Sequence, residues 1–168
     1  LSLARLVDFA LGESLAGLEF LAGIPGSLGG ALRMNAGAWG SEMKDVVHSL
    51  SCIVPGRGLD IIPRSRLSFH YRCLALPERS IIAAADIAVA PGEAEDMERR
   101  IKKNIAQRRQ RHPLDYRSAG SVFKNPAGIP AGRIIDELGL KGMSVDDAMV
   151  SERHGNFIIN RGQAKAAH

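Results

Sequence analysis

The sequence predicts a mixed α+β fold, and three observations carry the prediction. One long amphipathic helical pattern runs from Glu93 to about Arg111. An apolar, β-branched run from Val46 to Val54 meets a tight turn, Pro55-Gly56-Arg57-Gly58, and a returning run from Leu59 to Ile62. A further run from Ser80 to Val89 is closed by Pro91-Gly92. Strands bounded by proline and glycine, set beside one strongly periodic helix, belong to a protein that mixes both elements.

The elements follow in order. Leu3, Leu6, Val7, Ala10 and Leu11 recur at helical spacing after Ser2, and Gly12 stops them. Ser27 is placed to cap a short helix through about Met34. The 93–111 helix opens on Glu93, Glu95 and Asp96 and closes on Arg108, Arg109 and Arg111, the charge order its dipole favours. Met97, Ile101 and Ile105 give it a buried stripe, and Pro113 ends it. A second helix, Ala131 to about Leu138, ends at Gly139. Asn156 to Asn160 reads as a strand. The composition turns polar near His112 to Arg117, so two domains are expected, 1–111 and 112–168.

The 168 residues suit one domain or one and a fraction. The 45% hydrophobic and 24% charged composition is ordinary for a chain with a core, and no apolar run reaches the roughly 18 residues of a membrane span. Neither a membrane nor a signal peptide is therefore expected, and the chain is read as cytoplasmic and monomeric. Cys52 and Cys73 lack metal-site spacing and are read as reduced thiols, with no metal. The net charge of +4 concentrates in Arg99–Arg111, which a nucleic acid or a polyanionic small ligand would both suit. An orderly amphipathic helix shows those cations to solvent in any case, so no nucleic-acid partner is expected. The chain enters a helical pattern at Leu1 and closes at His168 without a closing element, so a piece of a longer protein is expected.

The chemistry concentrates in Ser118 to Pro126, Ser-Ala-Gly-Ser-Val-Phe-Lys-Asn-Pro. It sets Ser121, Lys124 and Asn125 beside a glycine that lets a ligand approach the backbone. A glycine-rich run, Gly23-Ile-Pro-Gly-Ser-Leu-Gly-Gly-Ala31, leads to Met34-Asn-Ala-Gly37. It lacks the Gly-Lys-Ser/Thr of a phosphate loop and the Gly-x-Gly-x-x-Gly dinucleotide spacing. Such a run offers main chain to a phosphate or a flat ring, and a purely structural turn explains it equally well. Ser121 belongs to no Ser-His-Asp order and no Gly-x-Ser-x-Gly elbow. Ser151-Glu152-Arg153-His154 holds a base pair by type without zinc-site spacing. Residue chemistry alone reaches a ligand-binding protein of mixed fold, with an anionic ligand in view.

Six segments together resemble the UDP-N-acetylenolpyruvoylglucosamine reductase family: Gly17 to Ala31, Met34 to Gly40, Phe69-His-Tyr-Arg72, Ser118 to Pro126, Ala131 to Gly142 and Val150 to Asn160, in family order. The spacing resembles the compact type that lacks an inserted substrate loop. The resemblance implies the latter part of an FAD-binding domain followed by a small α/β substrate-binding domain. It implies an NADPH-dependent flavoenzyme that reduces the enolpyruvyl group of a UDP-sugar, giving UDP-N-acetylmuramate for peptidoglycan. Ser121 matches the proton-donating serine and Arg72 the arginine that steadies the carboxylate. Tyr71, Lys124 and Asn125 fall among the substrate contacts. Gly23, Ile24, Pro25, Gly26, Ser27, Gly29, Gly30, Asn35 and Gly37 match the flavin-binding wall. The family's amino-terminal flavin loop and its carboxyl-end catalytic glutamate have no counterpart here, and Glu152 does not take the latter role. The chain by itself is therefore expected to be inactive; the alternative is a truncated, non-catalytic relative that binds a UDP-sugar or a partner. Gly155 stands where the pattern often has alanine.

Overall fold

The computed structural model describes residues 1–168. The chain divides into two compact units, Leu1–Ile105 and Ala106–His168, with the break inside a helix, Ala94–Arg111. Antiparallel pairing runs through both units, which makes the fold α+β.

The first unit is built on a three-stranded antiparallel sheet. The hairpin read from Pro55-Gly-Arg-Gly58 forms as expected, with Val47–Val54 pairing Gly58–Pro63. The third strand, Ile81–Ile87, lies on the other side of Val47–Val54, which is therefore central. Alternation along the central strand buries Val47, Ser49, Leu50, Cys52 and Val54. Helix α1 (Leu3–Gly12) packs Leu3, Val7 and Ala10 into the same core, and the Ser2 hydroxyl caps it by accepting from the Arg5 N–H at 3.3 Å. Helix α2 (Leu28–Arg33) is short, capped as read from the sequence by Ser27, which accepts from the Gly30 N–H at 3.2 Å. Helix α3 (Met43–Val46) is a single turn before the central strand, with a capping box between Glu42 and Asp45.

Helix α4 (Ala94–Arg111) buries Met97 at 2% exposure, and Ile101 and Ile105 pack half-buried against the core. A polar anchor reinforces this stripe. Asn104 Nδ2 donates to the Glu19 carbonyl at 2.9 Å, and the Arg100 guanidinium lies 3.6 Å from the Glu19 carboxylate. Arg99 and Lys102 pair with Asp96 and Glu98 on the helix's own surface. No helix is long and apolar enough to cross a membrane.

The second unit carries a four-stranded antiparallel sheet in the order Arg117–Ser121, Phe157–Asn160, Ala148–Val150, Ser144–Val145. Helix α5 (Ala131–Glu137) completes it. Only the Phe157–Asn160 strand was legible beforehand. Phe157 and Ile159 are buried and Ile158 is exposed, the alternation expected of a sheet with one covered face. Gly155 explains its departure from alanine: a Cβ there meets the Gly132 carbonyl oxygen at 2.7 Å and Ile135 at 3.2 Å.

His112, His154 and Phe157 form an aromatic cluster in this unit, with centroids 4.8 to 5.5 Å apart. Burial, then the nearby charges of Arg108, His154 and Arg111, push His112 down to about 4. Burial also lowers His154, whose Nδ1 accepts the Asn156 N–H at 3.2 Å, a bond that requires that nitrogen unprotonated. A histidine lowered in the folded state stabilises fully above its unfolded pKa of about 6.5 and loses that contribution as pH falls toward the folded value. Because both rings are half-exposed, screening limits the loss to about 1–2 kcal/mol. Urea midpoints measured at pH 7 and pH 4.5 should show it, and His112→Phe should flatten the difference.

Candidate active site

Arg72 sits on a two-residue turn. Strands Ser68–His70 and Cys73–Ala75 pair as a tight hairpin, and Tyr71 and Arg72 join them. Arg72 adopts a φ of +55°, in the left-handed region that costs a non-glycine residue about 1–2 kcal/mol. The Arg33 guanidinium holds the hairpin from behind by donating to the Leu74 carbonyl, and Leu74 is fully buried. The Arg72 guanidinium lies 5.0 Å from the centroid of the Tyr71 ring, a cation–π distance.

The turn borders a cleft of about 410 Å³ lined by Gly37, Ser41, Glu42, Lys44, Tyr71 and Arg72, with Ala38, Gly40 and Asp45 completing it. The cleft thus gathers Gly37, Tyr71 and Arg72 from the sequence reading and adds the charges of Glu42, Lys44 and Asp45. Those three were missed because no spacing marks them; the signal available was their place directly after the Met34 to Gly40 segment. Glu42 pairs with Lys44 at 2.8 Å.

Asn35 belongs to the same structure from behind. It is fully buried, and its amide is engaged by protein: Nδ2 donates to Glu42 Oε2 at 3.0 Å and to the His70 carbonyl at 3.2 Å, while Oδ1 accepts from the Lys44 N–H at 3.0 Å. The rest of the glycine-rich run is elsewhere on the first unit's surface. Gly23, Pro25, Gly26, Ser27 and Gly30 are exposed and Ile24 and Gly29 half-buried, and open space stands over Gly26 and Gly29.

Ser121, Lys124 and Asn125 belong to the second unit. Ser121 ends the edge strand Arg117–Ser121, opposite Phe157. The register shifts between Ser118 and Ser121, and Gly120 at φ +83° makes the irregularity sterically possible. Such a bulge re-aims the side chain that follows it, and residues 121–130 are all exposed. Two amides hold this segment. Asn156, only 3% exposed, accepts from the Phe123 N–H and donates to the Phe123 carbonyl, both at 2.8 Å. The Val122 N–H donates to the Asn156 carbonyl at 3.0 Å. Asn125 Oδ1 accepts from the Ala131 N–H at 3.0 Å, capping the start of α5. Asn156 was read beforehand only as the first residue of a strand. A shallower recess of about 360 Å³ lies beside Arg117, Ser118, Ile158, Asn160 and Lys165.

The chain has similar counterparts among known proteins. Residues 112–168 match the family described as UDP-N-acetylenolpyruvoylglucosamine reductase, C-terminal domain. Over 165 residues the chain is 52% identical to the UDP-N-acetylenolpyruvoylglucosamine reductase of Syntrophus aciditrophicus, covering 98% of this chain and 53% of that protein. The enzyme of the same name from Caldanaerobacter subterraneus is 44% identical over 164 residues, 97% of this chain and 54% of that protein. The crystal structure of the UDP-N-acetylenolpyruvylglucosamine reductase of Thermus caldophilus superposes with a TM-score of 0.90 at 40% identity, over 99% of this chain and 61% of that one. The chain spans about half the length of the curated relatives it matches. Over nearly all its residues, in sequence and in fold, the chain is similar to about half of these UDP-N-acetylenolpyruvoylglucosamine reductases, and its residues 112–168 match that family's C-terminal domain.

Proposed function

We propose that this chain supplies the arginine and the serine of an NADPH- and FAD-dependent oxidoreductase of peptidoglycan precursor synthesis. The reaction reduces the enolpyruvyl group of UDP-N-acetylenolpyruvoylglucosamine to UDP-N-acetylmuramate. The observation that carries the reading is that both matching residues stand on braced, irregular backbone. Arg72 occupies a left-handed turn at a cleft and Ser121 follows a bulge on an exposed edge. Strain and bulges of this kind concentrate at functional sites.

The chain's own residues divide the work. The Arg72 guanidinium takes the substrate carboxylate as a two-pronged partner and stabilises the negative charge that builds beside it during reduction. The Ser121 hydroxyl donates the proton that completes the double bond's conversion to a single bond. Lys124 offers an exposed ammonium to the substrate's anionic groups, and Asn125 fixes the loop beside it by capping α5. Tyr71 flanks the guanidinium. The main chain at Gly23–Ser27, with open space over Gly26 and Gly29, fits a flat ring resting against backbone. FAD, if held there, would supply the hydride that the addition consumes, with NADPH as the reductant that restores it. A nucleotide-sugar substrate and NADPH both suit a cytoplasmic enzyme.

The test uses the family-length protein. It is expected to be yellow, absorbing at about 450 nm through its flavin, to bleach with NADPH, and to recover colour when the UDP-sugar is added without oxygen. A colourless protein that still binds the UDP-sugar would overturn the enzymatic reading in favour of a non-catalytic relative.

A further inference from the structure

We infer that Glu42, tied down by the buried amide of Asn35, is a positioning residue that orients the Arg72 guanidinium at the cleft. The starting point is an amide that a flavin contact does not explain. Asn35 has no exposed surface, and its two donors and its acceptor join three separate segments. Those segments are the exit of α2, the Glu42–Lys44 turn, and His70 at the entry to the Tyr71–Arg72 turn. A side chain spent in this way on protein partners fixes geometry. What it fixes is the distance between a carboxylate and the turn that carries the catalytic guanidinium.

Glu42 is suited to the role. One carboxylate oxygen accepts from Asn35 and lies 2.8 Å from Lys44 Nζ, so the group is held from two sides. The Lys44 ammonium, with Asn35 and Arg72 adding to it against a smaller cost of burial, keeps the carboxylate below its usual pKa and therefore ionised at neutral pH. Arg72 and Glu42 line the same cleft, where Arg72 is half-buried with its guanidinium 5.0 Å from the Tyr71 ring centroid. An exposed Glu–Lys pair by itself contributes little and needs no buried amide to hold it. An arginine that must meet a carboxylate in one geometry does need its side-chain freedom reduced in advance. The inference rests on the reading that Arg72 meets the substrate carboxylate.

The experiment uses the family-length protein and two readouts. Glu42→Gln keeps an acceptor for Asn35 and removes the charge, so folding is preserved. Its substrate-driven flavin reoxidation is expected to slow about tenfold, while NADPH-driven flavin reduction stays unchanged. In an Arg72→Ala background the same change should have no further effect, because Glu42 acts through Arg72. The second readout needs no turnover: the Arg72 Nε–H resonance, identified by its loss in Arg72→Lys, should show increased side-chain mobility in Glu42→Gln. Losses that multiply in the double variant, or an Arg72 resonance untouched by Glu42→Gln, would overturn the positioning role. An Arg72→Ala protein that reoxidises at the wild-type rate would instead sink the proposed reaction, leaving the resonance to decide the positioning.

Discussion

Ser121→Ala in the family-length protein is expected to slow substrate-driven reoxidation of reduced flavin by about 10²–10⁴-fold, with NADPH-driven reduction unchanged. A serine hydroxyl is a weak acid, and its value as a proton donor comes from being held against the carbon that accepts the proton. The structure braces the backbone that carries this hydroxyl. Gly120 at φ +83° produces the bulge, the pairing opposite Phe157 fixes the strand, and Asn156 clamps the two residues that follow. Removing one oxygen disturbs none of these backbone contacts. The side chain is exposed, so the substitution should shift stability by no more than about 0.5 kcal/mol. A slow variant with wild-type melting therefore reports on chemistry. A Ser121→Ala protein that reoxidises at the wild-type rate removes Ser121 from the mechanism and directs the search to another donor on the 118–126 segment.

This residue was singled out in the sequence by the resemblance of its segment, whereas much of what surrounds it was not. Helices α1, α2 and α4 and the 47–63 hairpin were legible because local chemistry determines them: Ser2 and Ser27 cap, Met97 and its neighbours keep helical period, and Gly56 and Gly58 turn the chain. The sheet of the second unit was not. Its strands are short, and Arg117–Ser121 reads as a polar turn because it is an exposed edge whose pattern depends on Phe157–Asn160, far along the chain. The same limit applies to the site. Arg72 and Ser121 were legible through the segments that resemble the family. Glu42 reaches the Tyr71–Arg72 turn through Asn35, which donates to the His70 carbonyl, and Asn156 holds Phe123 from far along the chain, and no local pattern carries that information. Asn35 shows the difference most clearly. Its segment was picked out as part of a flavin wall, yet the side chain points its hydrogen bonds into the protein.

Asn156→Ala is expected to destabilise the second unit by about 2–3 kcal/mol and to slow the reaction as well. The side chain makes a reciprocal pair with one peptide unit's neighbours, accepting from the N–H and donating to the carbonyl of Phe123. Alanine leaves both Phe123 groups without that partner in a part-buried place, which is the costly way to lose a hydrogen bond. The main-chain bond from Val122 to the Asn156 carbonyl survives the substitution, so the strand end should loosen without leaving the sheet. Amide exchange at Val122 and Phe123 should therefore accelerate more than at Ile159, which sits in the ladder. Asn156→Asp sharpens the argument. It keeps the acceptor for the Phe123 N–H but sets a carboxylate against the Phe123 carbonyl, and it should destabilise at least as much as alanine despite its matching shape. If the aspartate variant is as stable as wild type, the amide's donor is not what holds the segment, and the serine's position depends on the bulge alone.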